Sequence, residues 1–273
     1  MNAPPTTGLL LHLSGPLQSW GERSRFNQRD TATAPTRSGL IGMIAAAFGR
    51  RRTEPVTDLR ALRFTVRIDR PGTLLRDFHT VGGGMPRDLT VITAEGKRRA
   101  ADTATVTSDR YYLQDAAFTV AVTADDPALL DRCAQALRAP RWPLYLGRRS
   151  CPPNAPLLLA VLRTDPVTAL IDLPLARTAP RDRGDVLVEF RSDTPFESRA
   201  WPSAPEDEQV YTEAQDEPVS FQPHHRRFQT RPIYRRHLRL PADRCAGLGV
   251  KYLSAVIEHL QSEQPSENTP VTP

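Results

Sequence analysis

The stretch APTRSGLIGMIAAAFGRR, residues 34–51, predicts a short apolar helix with an unusual charge at its start. Helix N-termini favour acidic side chains, because the macrodipole leaves about half a positive charge there. Here Arg37 stands at the start and Ser38 follows it, so a cation lies where an anion is expected. We therefore expect an anion from outside the helix to bind at this end, held by Arg37 and by the backbone N–H groups of the first turn.

A second cationic stretch, RWPLYLGRRSCPPN, occupies residues 141–154. Arg148 and Arg149 lie between a glycine and a pair of prolines, which constrain the loop that carries them. Two arginines held in this way can present fixed guanidinium forks to phosphates, and Tyr145, just upstream, can stack on a base. The alternative is an ordinary solvent-exposed loop, because adjacent arginines are common in this chain.

His79, within RDFHTVGGG, is the histidine best placed for catalysis. A metal-independent ribonuclease needs a base for the 2′-hydroxyl and an acid for the leaving oxygen, and histidine suits both roles. No second histidine or lysine lies near it in the sequence, so a catalytic His79 is the weaker interpretation. Walker A, GxGxxG, HExxH and GxSxG motifs are absent, and the acids and histidines form no tight cluster in the sequence. We expect no metal and no cofactor.

Composition favours a polyanionic partner. The 273 residues carry a formal net charge of +5, and all of the 36 basic residues except Lys97 and Lys251 are arginine. A GC-rich genome also enriches arginine, so its placement matters more than its number. Three cysteines without a CxxC pair argue against zinc and disulfides and favour a reducing compartment. No apolar run approaches the roughly 20 residues of a membrane span, so we expect a cytoplasmic protein without membrane contact.

The periodicity of apolar residues predicts the elements that must position these side chains. Apolar and polar residues alternate over residues 62–68, as in a half-exposed strand, and residues 125–138 begin with an aspartate cap followed by Pro127, as in a helix. Strands are predicted at residues 9–13, 62–68, 116–122 and 156–162, and helices at residues 34–51 and 127–138. Residues 70–113 show no helical pattern and indicate a glycine-hinged β-hairpin or a flexible arm.

This order predicts an α+β fold with a ferredoxin-like βαββαβ domain over residues 1–165, similar to the RNA-recognition motif. We expect a four-stranded antiparallel sheet with both helices on one face, the other face open for a ligand, and an inserted β-hairpin thumb at about residues 70–113. Residues 166–260 are predicted to form a small β-rich annex, and residues 261–273 a disordered tail. The acidic segment 203–217 could be a solvated loop, a mask for the basic stretch 224–239 or a docking patch; we favour the loop.

Five motifs, in this order, resemble the fifth family of CRISPR-associated proteins, within the repeat-associated RNA-binding superfamily. The motifs are LLLHLSGPLQSWG, APTRSGLIGMIAAAFG, RDFHTVGGG, YYLQDAAFTVAV and PLYLGRRSCPP, and RRFQTRPIY resembles the C-terminal strand region of the family. They cover roughly residues 8–163 and are most similar to the CasD subunits of type I-E Cascade complexes. Residues from about 170 to 220 depart from the family pattern, so nothing is carried over to them.

The resemblance implies binding of the repeat-derived 5′ handle of a guide RNA, at the end of a backbone of repeated Cascade subunits. It also implies contact with the large target-recognising subunit, and with target DNA only through the complex. By this resemblance the residues that grip the handle are Gln18, Ser19, Trp20, Arg37, Ser38, Arg76, His79, Arg148 and Arg149, with Tyr111 as a stacking candidate. A tryptophan that follows a strand is more often a packed core residue than a platform for a base, and both interpretations of Trp20 stay open.

Three functions are compatible with these features. The first is a non-catalytic RNA-binding subunit, and in type I-E systems the resemblance assigns guide processing to another subunit. The second is a metal-independent endoribonuclease that cuts the CRISPR repeat RNA, as relatives in another type I subtype do. Its active site would need a positioned lysine, and neither Lys97 nor Lys251 falls in a matching motif. The third is an assembly subunit that binds no RNA, in which the arginines are only surface.

Overall fold

A computed structural model of the chain describes residues 7–22, 27–93, 96–196, 201, 210–223 and 225–263. Residues 203–209 of the acidic segment, His224 and residues 264–273 of the predicted tail lie outside the described residues, whereas residues 261–263 belong to the last helix. The strands are β1 (Gly8–Ser14), β2 (Leu17–Gln18), β3 (Gln28–Arg29), β4 (Arg63–Arg70), β5 (Thr73–Val81), β6 (Val106–Gln114), β7 (Ala117–Thr123), β8 (Leu158–Leu162), β9 (Val186–Ser192), β10 (Val210–Ser220) and β11 (Arg227–Leu240). The α-helices are α1 (Arg37–Ala47), α2 (Pro127–Arg138), α3 (Pro166–Asp172) and α4 (Val250–Glu263).

The main sheet contains seven strands in the order β10-β11-β9-β4-β7-β1-β8, and every neighbouring pair is antiparallel. The helix α1 lies in the chain between β1 and β4, and α2 lies between β7 and β8. The predicted α+β class is confirmed. Strands from residues beyond 165 extend the same sheet at the β4 edge, and a domain boundary at residue 165 stays a prediction.

One face of the sheet is covered by α1 and α2. Alternate residues of β1, including Leu9 and Leu11, pack with Ile41, Ile44 and Leu130 of these helices. The helix α2 starts as predicted, with the Asp126 carboxylate accepting from the N–H of Ala128 (2.9 Å) and Pro127 in the first turn. Burial of this apolar layer is the main contribution that holds the helices on the sheet.

The opposite face of the sheet is also covered, which contradicts the expected open ligand face. Leu10, Ala117 and Ala121 point to this side and pack in a second apolar cluster with Leu170 of α3 and Tyr252 of α4. These five side chains are at most 1% exposed. The sequence pattern of β1 and β7, apolar at nearly every position, is typical of strands that are buried on both faces. The C-terminal residues therefore occupy the surface on which an RNA-recognition motif would bind its ligand.

A buried ion pair lies beneath this second layer. The guanidinium of Arg67, fully buried on β4, pairs with Asp69 (2.6 Å) and donates to the carbonyl oxygens of Leu170 (2.5 Å) and Leu173 (2.7 Å). Thr119 on β7 donates to Asp69 (2.8 Å). Because a buried charge is stable only when it is paired and hydrogen-bonded, this network links the end of α3 to the sheet.

A smaller sheet is built on the excursion between β4 and β7. β5 and β6 form a nine-residue antiparallel hairpin from the pair Thr73 and Gln114 to the pair Val81 and Val106. β6 also pairs with β2 in the antiparallel direction and with β3 in the parallel direction. The base of the hairpin, at Thr73 and Gln114, therefore lies beside the loop that follows β1. None of the described helices is long and apolar enough to cross a membrane.

Candidate nucleic-acid interface

A cleft of about 770 Å³ lies between α1, the loop after β1, the loop at residues 141–150 and the turn that joins β10 to β11. Seven arginines line it: Arg29, Arg50, Arg51, Arg52, Arg148, Arg149 and Arg226. Among the described residues that line the cleft there is no aspartate or glutamate. A concave surface with charge of one sign concentrates its field and attracts a polyanion.

Most of these arginines keep their guanidinium groups available. Arg50 pairs with Asp58 and Arg148 donates to backbone carbonyls. The other five have no ion pair within the described parts of the chain: Arg29, Arg51, Arg52, Arg149 and Arg226. An arginine without a carboxylate partner can offer its planar fork to a phosphate group.

Two of the unpaired arginines, Arg29 and Arg52, lie close enough to a third, Arg226, to repel it. Burial lowers the pKa of Arg226 below its usual range, and the charges of Arg52 and Arg29 lower it further. A guanidinium remains protonated at neutral pH, so Arg226 keeps its charge while partly buried beside two other cations. A bound anion would relieve the repulsion.

The helix α1 supplies a wall of small side chains. Gly39, Gly42, Ala45 and Ala46 face the cleft, together with Ser38, which is half-buried. Small residues let a ligand approach the helix closely. Aromatic side chains complete the lining: Trp142, Tyr145, Phe221 and Phe228. Trp142 is 38% exposed and Tyr145 half-buried, so both rings can reach a base for stacking.

The loop that carries Arg148 and Arg149 is held against the segment after β1. The N–H of Ser19 donates to the carbonyl of Leu146 (3.0 Å). Gly147 has a φ of +88°, and a Cβ placed on it would lie 1.7 Å from the carbonyl oxygen of Ser19. Only glycine fits this position, so the glycine of the GRR sequence sets the close contact that brings both arginines to the cleft.

Arg148 and Arg149 differ in their surroundings. Arg148 donates to the carbonyl oxygens of Tyr111 (3.1 Å) and Arg29 (2.7 Å), and its guanidinium carbon lies 4.7 Å from the ring centroid of Tyr112. Arg149 is exposed and makes no such contact among the described residues. The structure therefore assigns Arg148 a part in joining the loops and leaves Arg149 directed to solvent and the cleft.

The predicted residues Gln18, Ser19 and Trp20 are buried and hold the cleft wall together. The amide nitrogen of Gln18 donates to the carbonyl oxygens of Leu13 (3.0 Å) and Ala116 (2.9 Å), and its oxygen accepts from the Trp20 indole (3.0 Å). Ser19 Oγ donates to the carbonyl of Tyr111 (3.1 Å). Trp20 is 0% exposed and packs beside Gly39, so of its two interpretations the core residue matches the structure.

The anion at the start of α1 comes from the chain itself, which corrects the expectation of an external one. The N–H of Arg37 donates to Asp216 (2.6 Å), and its side chain, 6% exposed, pairs with Asp193 (2.5 Å) and with Glu217. Arg60 and Arg231 pair with the same carboxylates. We call these six residues the ion-pair cluster: Arg37, Arg60, Arg231, Asp193, Asp216 and Glu217.

The cluster also corrects the interpretation of the acidic segment as a plain loop. Its described part, residues 210–217, forms most of β10 and pairs with β11. Asp216 is 2% exposed and bonds Arg231 of the basic stretch (2.6 Å). The acids at the end of the segment therefore neutralise buried arginines instead of facing solvent.

The predicted thumb residues lie on the β5–β6 hairpin and do not line the cleft. Arg76 is exposed and forms an ion pair with Asp109 (3.0 Å). In the strand pairing Arg76 lies directly opposite Tyr111 of β6. His79 Nδ1 lies 3.6 Å from an Asp77 oxygen, and the His79 side chain is 42% exposed. Tyr111 reaches the cleft wall only through its carbonyl oxygen, which accepts from Ser19 and Arg148.

Of the residues predicted from the sequence, the structure brings six to the cleft: Ser19, Trp20, Ser38, Tyr145, Arg148 and Arg149. Arg29, Arg51, Arg52, Trp142 and Arg226 were missed. Arg51 and Arg52 follow Gly49 at the end of α1, where the helix dipole alone explains cations. Arg226 arrives from the far end of the chain through the pairing of β10 with β11, and no local signal marks it.

The described residues contain no group of three or more His, Cys, Asp or Glu side chains arranged as metal ligands. The arginines of the cleft can contact several phosphates at once, and its aromatic rings can stack on bases. The cleft contains no pair of groups placed to give and take protons among the described residues that line it.

The fold and the cleft define a mixed α+β protein with an arginine-lined groove suited to a polyanion. The chain belongs to the family described as CRISPR-associated protein (Cas_Cas5), whose profile matches residues 8–234. The family resemblance found in the sequence motifs is thus confirmed. The CRISPR system Cascade subunit CasD of Escherichia coli (strain K12) is 37% identical over 179 residues, which cover 60% of this chain and 75% of that protein.

Two solved structures are similar over nearly the whole chain. A chain of a CRISPR RNA-guided surveillance complex is 44% identical with a TM-score of 0.76, and the match covers 93% of this chain and 99% of that one. A second structure, described as a crystal structure of a Cas protein, is 33% identical with a TM-score of 0.55, covering 89% and 98%. The antiparallel α+β fold is therefore one that the family shares.

Proposed function

We propose that this chain is the CasD-type subunit of a CRISPR RNA-guided surveillance complex, and that it anchors the 5′ handle of the guide RNA in the arginine cleft. The names of the matched CasD protein and surveillance-complex chain support the assignment to such a complex. The observation that carries the RNA-binding role is the cleft itself, which gathers seven arginines and, among its described residues, no carboxylate.

The handle is bound through its phosphates and its bases. Arg29, Arg52, Arg149 and Arg226 contact backbone phosphates, because none of them has an anionic partner among the described residues. Tyr145 and Trp142 stack on bases, and Ser38 donates a hydrogen bond at the wall formed by α1. Gln18, Ser19, Trp20 and Arg148 support these contacts by fixing the loops. Arg76, His79 and Tyr111, which lie along the thumb, extend the RNA path beyond the cleft.

The surrounding fold suits a terminal position in an assembly. The strand order β4-β7-β1-β8, with α1 and α2 as crossovers on one face, supports a ferredoxin-like RNA-binding core. The β5–β6 hairpin serves as the thumb that contacts a backbone subunit, since it exposes Leu74 (61%) and Phe78 (65%). The large target-recognising subunit binds at the same end, and target DNA is reached through the complex.

The β5–β6 hairpin carries a candidate acid–base pair, Asp77 and His79. One observation favours the alternative function, a metal-independent endoribonuclease that processes CRISPR repeat RNA: His79 Nδ1 lies 3.6 Å from an Asp77 oxygen. The pair lies on the exposed hairpin and outside the cleft, where it would not meet a phosphodiester held by the cleft arginines. We therefore favour binding without cleavage.

The deciding experiment uses the purified full chain in the presence of EDTA. Full-length repeat RNA and the isolated 5′ handle are each titrated, and a denaturing gel of the same samples reports cleavage. We expect handle binding without cleavage, and in Arg226→Gln the negative slope of log K against log salt should be smaller in magnitude by roughly 0.7. Arg132→Gln is the matched control, because Arg132 is an exposed arginine on α2 outside the cleft. Cleavage that is lost in His79→Ala would establish the nuclease instead.

A further inference from the structure

The ion-pair cluster joins elements that are far apart in the sequence. Arg231 on β11 contacts Asp216 (2.6 Å) and Asp193 (2.7 Å), and Arg60 contacts Glu217 (2.8 Å). The three positive and three negative side chains of the cluster balance in charge, and Arg37 at the start of α1 bonds all three carboxylates. None of these six residues lines the arginine cleft.

A break in strand pairing allows two neighbouring carboxylates to enter the same cluster. Side chains of adjacent residues on a regular strand point to opposite faces. The register of β10 on β11 shifts between Ala214 and Glu217, which is the geometry of a β-bulge. As a result Asp216 meets the Arg37 N–H and Arg231, while Glu217 meets the Arg37 side chain and Arg60.

The same strand leads directly into the cleft. Phe221, the first residue after β10, approaches α1 so closely that a Cβ on Gly42 would lie 3.8 Å from its ring. Arg226 and Phe228, beyond the turn, line the cleft opposite α1. The cluster is therefore the polar attachment of the β10–β11 turn to the start of α1, and Phe221 is an apolar attachment further along the helix.

We propose that the ion-pair cluster is a latch that fixes the β10–β11 turn against α1 and so places Arg226 in the cleft. Arg37 is then a positioning residue that acts on the ligand through this turn. This inference rests on the proposed function only in naming RNA as the ligand. It differs from direct RNA contact by Arg37, since the Arg37 guanidinium is already bonded to two carboxylates and two backbone carbonyls.

Glu217→Gln tests the latch, with Glu213→Gln as the matched control. Both variants remove one negative charge from β10, but Glu213 is exposed, and the one hydrogen-bond partner of its side chain among the described residues is the hydroxyl of Tyr211 (3.3 Å). Electrostatics alone would make both variants bind RNA as tightly as the parent chain or more tightly. The latch requires the opposite for Glu217→Gln: binding about tenfold weaker, with a salt slope smaller by about 0.7, because Arg226 leaves its phosphate. The probe is a fluorescent single-stranded RNA of about ten nucleotides carrying the handle sequence.

Combination with Arg226→Gln separates the latch from direct contact. If Arg37 and Glu217 act through the turn, Arg37→Gln or Glu217→Gln adds no further loss once Arg226 is replaced. If Arg37 contacts RNA itself, the losses of Arg37→Gln and Arg226→Gln add. Should Glu217→Gln fail to fold, Arg60→Gln opens the same link, because Arg60 is 34% exposed and less costly to replace.

Hydrogen exchange of the full chain without RNA gives a readout that does not depend on the proposed function. We expect the amides of residues 219–230 to exchange faster in Glu217→Gln than in Glu213→Gln, while those of β1 keep their protection. Unchanged exchange in the turn overturns the latch. Tight RNA binding by Glu217→Gln also overturns it and leaves the RNA-binding proposal intact. Absence of RNA binding by the parent chain refutes that proposal alone, and the exchange data still decide the latch.

Discussion

Neighbouring arginines in one loop have different roles, and this difference can be measured. Arg148 bonds three carbonyl oxygens and stacks over Tyr112, whereas Arg149 has no such partners among the described residues. We expect Arg148→Gln to lower the free energy of unfolding by about 1–3 kcal/mol, because it removes three charge-assisted hydrogen bonds between loops and the contact with the Tyr112 ring. Arg149→Gln should change stability by less than about 0.5 kcal/mol and still weaken RNA binding. Urea unfolding and RNA titration of both variants check this, and equal stability losses would contradict it.

A single buried histidine should make the protein sensitive to mild acid. The pKa of His12 is lowered from 6.5 to about 4, chiefly by burial; Asp69 opposes the shift, and the charges of Arg67 and Arg70 contribute to it. Below pH 6.5 the unfolded chain binds a proton that the folded chain excludes, so stability falls as the pH falls from about 6.5 to 4. For His12 alone the loss between pH 7 and pH 5 is about 2 kcal/mol.

His12→Gln is the variant that isolates this effect, because glutamine cannot titrate. Between pH 7 and pH 5 the unfolding free energy of His12→Gln should fall by about 2 kcal/mol less than that of the parent chain. Chemical denaturation at the two pH values measures the difference, and other titrating groups cancel in the comparison. An identical pH dependence in both chains would show that His12 takes up its proton without cost.

At the level of elements, the cleft depends on how one loop packs against another. Gly147 has φ +88° and no room for a Cβ beside Ser19, whereas Gly84 on the thumb has φ +69° and open space around it. Gly84→Ala should therefore cost only the left-handed backbone penalty, about 1–2 kcal/mol. Gly147→Ala should cost about 1–3 kcal/mol more and should also weaken RNA binding, since the loop carrying Arg149 must move. Thermal unfolding of the two variants gives the comparison, and equal shifts in Tm would argue against a steric role for the Ser19 contact.

The local parts of these elements could be read from the sequence, and the long-range ones could not. Asp126 and Pro127 mark the start of α2, and Gly147 with its two arginines marks the constrained loop, because the signals lie within a few residues. The charge of Arg37 predicts an anion at the start of α1, but the prediction that this anion comes from outside the chain is wrong. The partner of Arg37, Asp216, is 179 residues away, and the bulge in β10 that delivers it has no local signature in the sequence.

The whole molecule shows why the second face of the sheet was misjudged. A βαββαβ pattern specifies which face its own two helices cover, but says nothing of what later residues place on the other face. Leu10 and Ala121 indicate that this second face is covered, because a strand that is apolar on both sides must be buried on both sides. Arg67, fully buried on β4, lies on the same covered face. A buried charge needs partners, and α3 and the residues after it provide three carbonyl oxygens.

This arrangement predicts that residues 1–165 do not fold alone, even though they contain every element of the predicted ferredoxin-like domain. Their isolation would expose Leu10, Ala117 and Ala121 to water and leave Arg67 and Asp69 without their carbonyl and amide partners. Breaking such a buried network costs about 3–5 kcal/mol, of the same order as the stability of a whole domain. Expression of residues 1–165 beside residues 1–263, followed by circular dichroism and urea unfolding, tests this. We expect a cooperative transition only for the longer chain, and a cooperative transition in the shorter one would show that the sheet can stand with one covered face.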